Sequence, residues 1–323
     1  VSFLDISTGE FLVAEGSLDY IRKLIHNFLP SEILYSKSER ETIEEKIPGN
    51  FYLYPIDDWI YEKKYCFEKI TEHFKTDSLK GFGINHMNES VISAGSILHY
   101  LGQNKHDQLN HIVTIRRIDE TSHVWMDKFT VKNLELLYPS NENGVSLINV
   151  IDETLTPMGS RMIKKWVMFP LKNKMDIEHR IGVVDYFFKK EDLLIEVTNL
   201  LKDIGDIERM LAKISTLRIS PRELNKFKSS LILSNNLKNL IIKSTKSAHI
   251  SDLFDNYREH LQLIDNLTNQ LNEDAPVVLV KGNVIKKGVN TELDSYRELE
   301  TSSENILEEI KDREIQRTEI PSL

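Results

Sequence analysis

Three aspartates are the first residues with chemistry within reach. Asp5 stands mid-strand in FLDIS (3–7), and Asp57-Asp58 is the nearest pair of aspartates, inside FYLYPIDDWIYE (51–62). Converging carboxylates of this kind can hold Mg²⁺ and activate water, but one acid alone holds the ion poorly. Asp57 and Asp58 also fall where a helix cap is expected, and cap and turn acids are far commoner than metal ligands. A metal-dependent nuclease therefore requires Asp5, Asp57 and Asp58 to meet in space.

Other catalytic sets are absent. There is no GxxxxGK[ST] loop and no Gly-Lys pair, and GFG at 81–83 lacks a third glycine because position 86 is His86. The ten histidines are scattered, with no HExxH, and no CxxC or GxSxG occurs. The one cysteine, Cys66, excludes an internal disulfide and fits a reducing compartment. Cations cluster at Arg116-Arg117, at Arg161, Lys164, Lys165, Lys172 and Lys174, and at Lys286-Lys287. Aromatics that could stack bases are missing from these clusters apart from Trp166.

The frame that must position these residues is a 323-residue chain of net charge -9, long enough for two domains. That balance argues against a generally basic nucleic-acid binder and allows at most a local patch. The longest apolar runs, such as VVLV at 277–280, are too short to span a bilayer, and the first residues are not a signal peptide.

Residues 1–105 read as a small α/β domain. FLDIS and EFLVAEG (10–16) flank Thr8-Gly9, a hairpin signal. Ser17 caps a helix carrying Ile21, Leu24, Ile25 and Phe28, and EILYS (32–36) is a third strand. Small residues at 94–96 within a helix over 91–104 suit close packing on a sheet. A linker over 106–126 contains an extended run, HIVTIRRI, and 127–137 reads as a strand end entering a helix.

Over 127–290 helical periodicity dominates. Ile204, Ile207, Leu211, Ile214 and Leu217 form one stripe, SPRE (220–223) is a capping box, and 252–271 reads as one long helix. VVLVKGNVIKKG (277–288) reads as a small β-hairpin about Lys281-Gly282-Asn283. The final element, over 291–317, is a long helix of roughly 40 Å. Its narrow stripe of Leu293, Tyr296, Leu299, Ile306 and Ile310 is thinned at Ser303. Ten acids face four bases between 291 and 320. Such a rod wants one partner helix.

DETLTPMGSRMIKKWVMFPL (152–171) is the most telling stretch. Thr156 caps and Pro157 takes the first helical position. Met158, Met162, Ile163, Trp166 and Val167 share one face, expected to be buried, and Ser160, Arg161, Lys164 and Lys165 share a solvated one. Gly159 allows another backbone to approach. On this reading Trp166→Ala harms stability, while loss of Lys164 and Lys165 does little.

LTPMGSRMIKKWVMFPL, with LINVIDET before it and HRIGVVDYF after it, resembles the core (lever) domain of the MutS family of DNA mismatch-repair proteins. IGDIERMLAKISTLRISPREL and GVNTELDSYRELETSSENILEEIKDREIQRT resemble two further stretches of that domain, in order. FLDISTGEF and GFGI resemble the preceding connector. The resemblance covers essentially the whole chain.

It implies an RNase H-like α/β connector (1–105), a linker (106–126), the first half of a helical lever (127–290), and a long protruding helix leading to the clamp (291–323). It implies a cytoplasmic, nucleoid-associated bacterial parent that binds mismatched double-stranded DNA as a dimer, uses ATP and Mg²⁺, and recruits a MutL-like partner through the connector. The family's Phe-x-Glu wedge and Walker motifs do not occur in this sequence, so this stretch is expected to lack ATPase activity. Lys311, Arg313 and Arg317, towards the clamp, are the residues it brings nearest to DNA. An RNase H-like nuclease and a helical scaffold of a MutS relative in recombination are the alternatives.

Overall fold

The computed structural model describes residues 1–323 except 48, 50, 105–108, 120–121, 245–247 and 319–323. The chain forms two compact units, Val1–Ile219 with Ser229–Glu259, and Ser220–Lys228 with His260–Leu323.

The first unit opens with a hairpin. β1 (Ser2–Asp5) and β2 (Glu10–Val13) are antiparallel, with Asp5 opposite Glu10. Gly9, at φ +75°, donates its N–H to the Asp5 carbonyl at 2.8 Å, a turn a side chain would strain. Ser17 Oγ accepts from Tyr20 N–H and starts α1 (Leu18–Phe28) as expected. β3 (Glu32–Ser36), α2 (Arg40–Lys46) and β4 (Tyr52–Ile56) follow, and β3 and β4 pair in parallel.

α3 (Lys63–Phe74) and α4 (Asn88–Gln103) cover the strands. Then β5 (Ile115–Arg117), from the segment read as a linker, lies parallel to β2 and completes the order β1-β2-β5. Phe11, Val13, Ile70, Leu79, Ile84, Val91, Ala94, Ile112 and Ile115 form the core between them. The small residues of α4 do not only serve the sheet. A Cβ on Gly95 would stand 2.4 Å from Cys66 Cβ and 2.5 Å from its Cα, so Gly95 is where α4 crosses α3. Burial there pushes the Cys66 thiol up to about 12, which makes it inert.

The rest of this unit is helical: α5 (Lys128–Asn133), α6 (Leu147–Ile151), α7 (Pro157–Met168), α8 (Lys174–Phe188), α9 (Glu191–Asp203), α10 (Ile207–Ser215), most of α11 (Pro221–Ser244), and α12 (Ala248–Ser251). Asp127 caps α5 directly through Thr130 N–H at 2.7 Å, with no strand end before it. Leu193, Val197, Ile241 and Ile250 make a second core with Val183, Leu237 and Leu240.

Two readings of this region need correction. In α10 the buried residues are Met210 and Ala212, while Leu211 and Leu217 face solvent. Leu217 lies past the helix end, at φ 53°, so the stripe of three- and four-residue steps does not continue through it. Nor is 252–271 one helix. A 3-10 turn at Asp252–Phe254 is followed by irregular chain to His260, at φ 50°. The cause lies in α11: Asn235 Nδ2 donates to the Glu259 carbonyl at 2.9 Å, and Lys238 reaches the Glu259 carboxylate at 2.8 Å. Tyr257 Oη, in turn, donates to Asn235 Oδ1 at 2.6 Å.

In the second unit, Ser220 and Glu223 make the expected capping box: Glu223 N–H donates to Ser220 Oγ at 3.3 Å and Ser220 N–H to the Glu223 carboxylate at 3.0 Å. α13 runs over Leu261–Gln270. The small hairpin at 277–288 is not formed. Asn272 N–H bonds the Val284 carbonyl, Lys286 N–H bonds the Gln270 carbonyl, and Leu271 bridges Ile285, so the end of α13 takes the place a second strand would have. Residues 279–281 instead form a 3-10 turn. α14 (Thr291–Thr318) spans 28 residues, as expected. Tyr296, Leu299, Leu307 and Ile310 on it are exposed. The side chains of Ile306 and Ser303 lie outside the described residues. No described helix is long and apolar enough to cross a membrane.

Candidate functional site

The three aspartates do not meet. Asp5 accepts from Ser7 N–H at 2.8 Å and Ser7 Oγ at 2.7 Å, inside its own hairpin turn. Asp57 pairs with Lys37, and Asp58 accepts from Ser38 N–H at 3.0 Å and from Ser36 Oγ, closing the end of the β3–β4 pair. Asp57 stands at the cap position of its 3-10 turn but makes no capping hydrogen bond, and its carboxylate pairs with Lys37 instead. No group of three His, Cys, Asp or Glu among the described residues could hold a metal ion. The nuclease reading therefore has no site there.

What the first unit does build is a joint, around α7. Thr156 Oγ accepts from Gly159 N–H at 3.0 Å and Pro157 occupies the first turn, as the sequence predicts. The neighbours of Gly159 are the Thr156 and Thr154 side chains rather than another backbone. At the other end, Met168 and Phe169 are buried. The Phe169 ring enters an aromatic cluster contributed by the α/β part and the segment after it. Its centroid lies 5.0 Å from Phe28 and 5.5 Å from Trp125, Trp125 meets Tyr20 edge-on at 5.0 Å, and Phe28 stacks on Phe3 at 4.4 Å. Such pairs add about 0.5–1.5 kcal/mol each beyond burial.

The backbone joins in. Val124 N–H bonds the Pro170 carbonyl at 2.7 Å, Lys172 N–H bonds the Ser122 carbonyl at 3.2 Å, and His123 bridges Leu171 in antiparallel fashion. Burial holds the His123 imidazole below its ordinary range, against a hydrogen bond to the Asp119 backbone. His123 is therefore neutral between Trp125 and Phe169 at neutral pH.

Charges fix the orientation of α7, which corrects the expectation of a solvated basic face. Lys165 pairs with Glu10 on β2. Arg161 forks onto Asp206, the N-cap of α10, at 2.7 and 2.8 Å, and reaches Glu208 at 2.5 Å. A bidentate guanidinium–carboxylate pair is both strong and directional. The Arg161 hydrogen bond in turn holds Asp206 below the usual carboxylate range.

The opposite correction applies to the apolar face. Met162 is 54% and Trp166 44% exposed, with the Arg180 guanidinium 3.7 Å from the Trp166 ring centroid. Trp166 is a cation–π platform, not a core residue.

On α14, Lys311, Arg313 and Arg317 are exposed, and Arg317 pairs with Glu314 at 2.9 Å. They sit among acids on the same helix.

Within the first unit, an α/β part is held to a helical part by aromatic, ionic and backbone contacts around α7. Two family models match the chain, MutS domain II over residues 1–113 and MutS domain III over residues 129–320. The protein named DNA mismatch repair protein MutS of Flavobacterium psychrophilum is 44% identical over 323 residues, covering all of this chain and 37% of that protein. Proteins of the same name from Flavobacterium johnsoniae and Bacteroides thetaiotaomicron are 43% and 41% identical, again over all of this chain and 37% of theirs. The chain belongs to the MutS family. It spans little more than a third of the length of these relatives.

Proposed function

We propose that these residues are the connector and the first half of the lever of a DNA mismatch repair protein, and that their work is to couple mismatch recognition to the clamp and the ATPase. The observation that carries this reading is the joint: Phe169, Lys165 and the 122–124/170–172 pairing tie α7 to both β2 and the segment leaving β5. Packed two-state joints transmit rigid-body shifts because they do not deform gradually. The hairpin, the parallel β2–β5 and β3–β4 pairs and their covering helices support an RNase H-like connector.

In the longer parent, mismatched double-stranded DNA is bound by a dimer, a MutL-like protein is recruited through the connector, and α14 leads towards the clamp with Lys311, Arg313 and Arg317 nearest to DNA. The parent acts in the bacterial cytoplasm, at the nucleoid. ATP and Mg²⁺ belong to that parent as well. The sequence has no Gly-Lys pair for a phosphate loop, which supports placing ATP and Mg²⁺ elsewhere in that parent.

The test is a charge reversal at Lys165, with Lys165→Glu alone and with Glu10→Lys, in a full-length parent. Uncoupling predicts mismatch binding within about threefold of wild type, loss of the mismatch effect on ATP turnover, and rescue by the double exchange. Unchanged coupling in the single variant would sink the joint as its carrier. Tight mismatch-selective binding at physiological salt by the 323-residue chain alone would sink the division of labour.

A further inference from the structure

The root of α14 is held by a chain of hydrogen bonds that runs through three helices of the second unit. At the start of α11, Asn225 Nδ2 donates to the Asn272 carbonyl at 2.6 Å and to the Glu273 carbonyl at 3.2 Å. Asn272 follows the end of α13. Its own Nδ2 lies 3.0 Å from the Asn283 carbonyl, 2.9 Å from Asn283 Oδ1 and 3.2 Å from the Ile285 carbonyl. Lys286 fastens the same segment from its other end. Its N–H donates to the Gln270 carbonyl at 2.8 Å and its ammonium to the Thr268 carbonyl at 2.7 Å. Both acceptors belong to the last turn of α13, where a helix leaves carbonyls without partners of its own. Residues 283–286 are thus tied to the end of α13 by main-chain and side-chain bonds alike.

α14 takes hold of this segment within its first two turns. Asn290 Oδ1 accepts from Leu293 N–H at 2.9 Å and starts the helix. Arg297 Nη2 donates to the Ile285 carbonyl at 2.9 Å, and its Nη1 donates to Asp294 Oδ1 at 3.2 Å. The other Asp294 oxygen accepts from Gly288 N–H at 2.6 Å. Gly288 has φ +88°, a conformation that a side chain would strain. The Ile285 carbonyl therefore receives Asn272 from the end of one helix and Arg297 from the start of the next. The Arg297 and Asp294 side chains are 30% and 14% exposed, so their pair is sheltered. The neighbouring Lys287–Glu298 pair, 3.9 Å apart and 79% and 70% exposed, contributes little beside it.

Length turns this contact into leverage. With 28 residues α14 is about 40 Å long, so a change of about 10° at its root carries its far end through about 7 Å. Hydrogen bonds within a helix keep it straight, but they do not decide where it points. That falls to the side chains at its base. We propose that Arg297 and Asp294, acting against Asn272 through the Ile285 carbonyl, are positioning residues that set the angle between α13 and α14. This goes beyond the coupling reading, which concerns the joint at α7. Only the consequence for Lys311, Arg313 and Arg317, which ride towards the far end, rests on that reading.

The experiment is a distance measurement by pulsed electron spin resonance in a full-length parent, with spin labels at Gln262 on α13 and Gln316 on α14. Both positions are exposed, and Gln316 lies about 28 Å beyond Arg297 along the helix. The wild type is expected to give one narrow distance. In Arg297→Ala that distance moves, or its distribution widens, by about 5 Å, the displacement that a tilt of about 10° produces there. Helical circular dichroism stays at the wild-type value. Asn272→Ala, on the other side of the same carbonyl, has the same effect. Tyr296→Ala, whose hydroxyl bonds Glu292 of its own helix at 3.2 Å, leaves the distance unchanged. Should Arg297→Ala fail to fold, Asp294→Asn, which keeps the size and removes the charge, is read in its place. Distances that stay put in both Arg297→Ala and Asn272→Ala overturn the proposal, even if the melting midpoint falls, because the network would then stabilise without positioning. An equal shift in Tyr296→Ala overturns it as well. The measurement uses neither DNA nor nucleotide, so its failure is distinct from a failure of the Lys165–Glu10 exchange.

Discussion

The ring of Phe169, just past the end of α7, lies 5.0 Å from the ring of Phe28 on α1, although 141 positions separate them in the sequence. That contact, with Trp125 on the other side, is where the helical part of the first unit meets the α/β part.

Phe169→Ala should therefore be among the most damaging single changes. Removing a buried phenylalanine costs about 3–5 kcal/mol. Urea unfolding of the 323-residue chain should show a loss of that order, and a loss below about 1 kcal/mol would mean the ring is not held as described.

Trp166→Ala should be mild, contrary to what the helical pattern suggests. A half-exposed ring under Arg180 contributes about 0.5–1 kcal/mol. Arg180→Ala should cost a similar amount, and the two losses should be less than additive in a double-mutant cycle.

Arg161→Ala should cost about 1–3 kcal/mol at neutral pH through its hydrogen bonds to Asp206. The folded Asp206 carboxyl is depressed from its ordinary value of 3.8. Its share of stability is thus complete above that value and is lost as pH falls through the lower, folded one. Stability curves of wild type and variant should converge in acid. A gap that stays constant from pH 7 to below pH 3 would contradict the pairing.

Gly95→Ala should destabilise by about 2 kcal/mol or more, since the new methyl would sit against the Cys66 backbone, which cannot rotate aside. Cys66→Ala should not rescue it, because alanine keeps the Cβ, Cα and carbonyl that the new methyl meets. Rescue by that change would place the clash on the sulfur instead.

His260→Gly should stabilise by about 1 kcal/mol, because the left-handed backbone there is costly for a residue with a Cβ. Thermal unfolding is the readout, and a lowered midpoint would show that the histidine side chain contributes something the backbone geometry does not reveal.

Local signals were readable in the sequence, and long-range ones were not. Ser17, Thr156 and the Ser220–Glu223 pair cap their helices because capping depends on residues within one turn. The long α14 contains no proline or glycine to end it. The periodicity of α7 shows that one face is apolar, not that anything covers it, and Met162 and Trp166 on that face are exposed. Lys165 looked solvated because its partner, Glu10, is 155 positions away. The break before α13 carries no proline or glycine. It comes from Asn235 and Lys238 holding Glu259, two contacts no local pattern encodes. Lys311, Arg313 and Arg317 rest on family resemblance alone, since acids crowd them on the same helix.

β5 has one more consequence. The chain that leaves the α/β part is hydrogen-bonded into its sheet through Arg117, continues with Ile118 N–H bonded to the Val13 carbonyl at 2.8 Å, and by Ser122 is paired to the end of α7. The main chain on either side is thus held by backbone hydrogen bonds, on one side to β2 and on the other to the end of α7, so these two elements are tied through the backbone as well as through side chains.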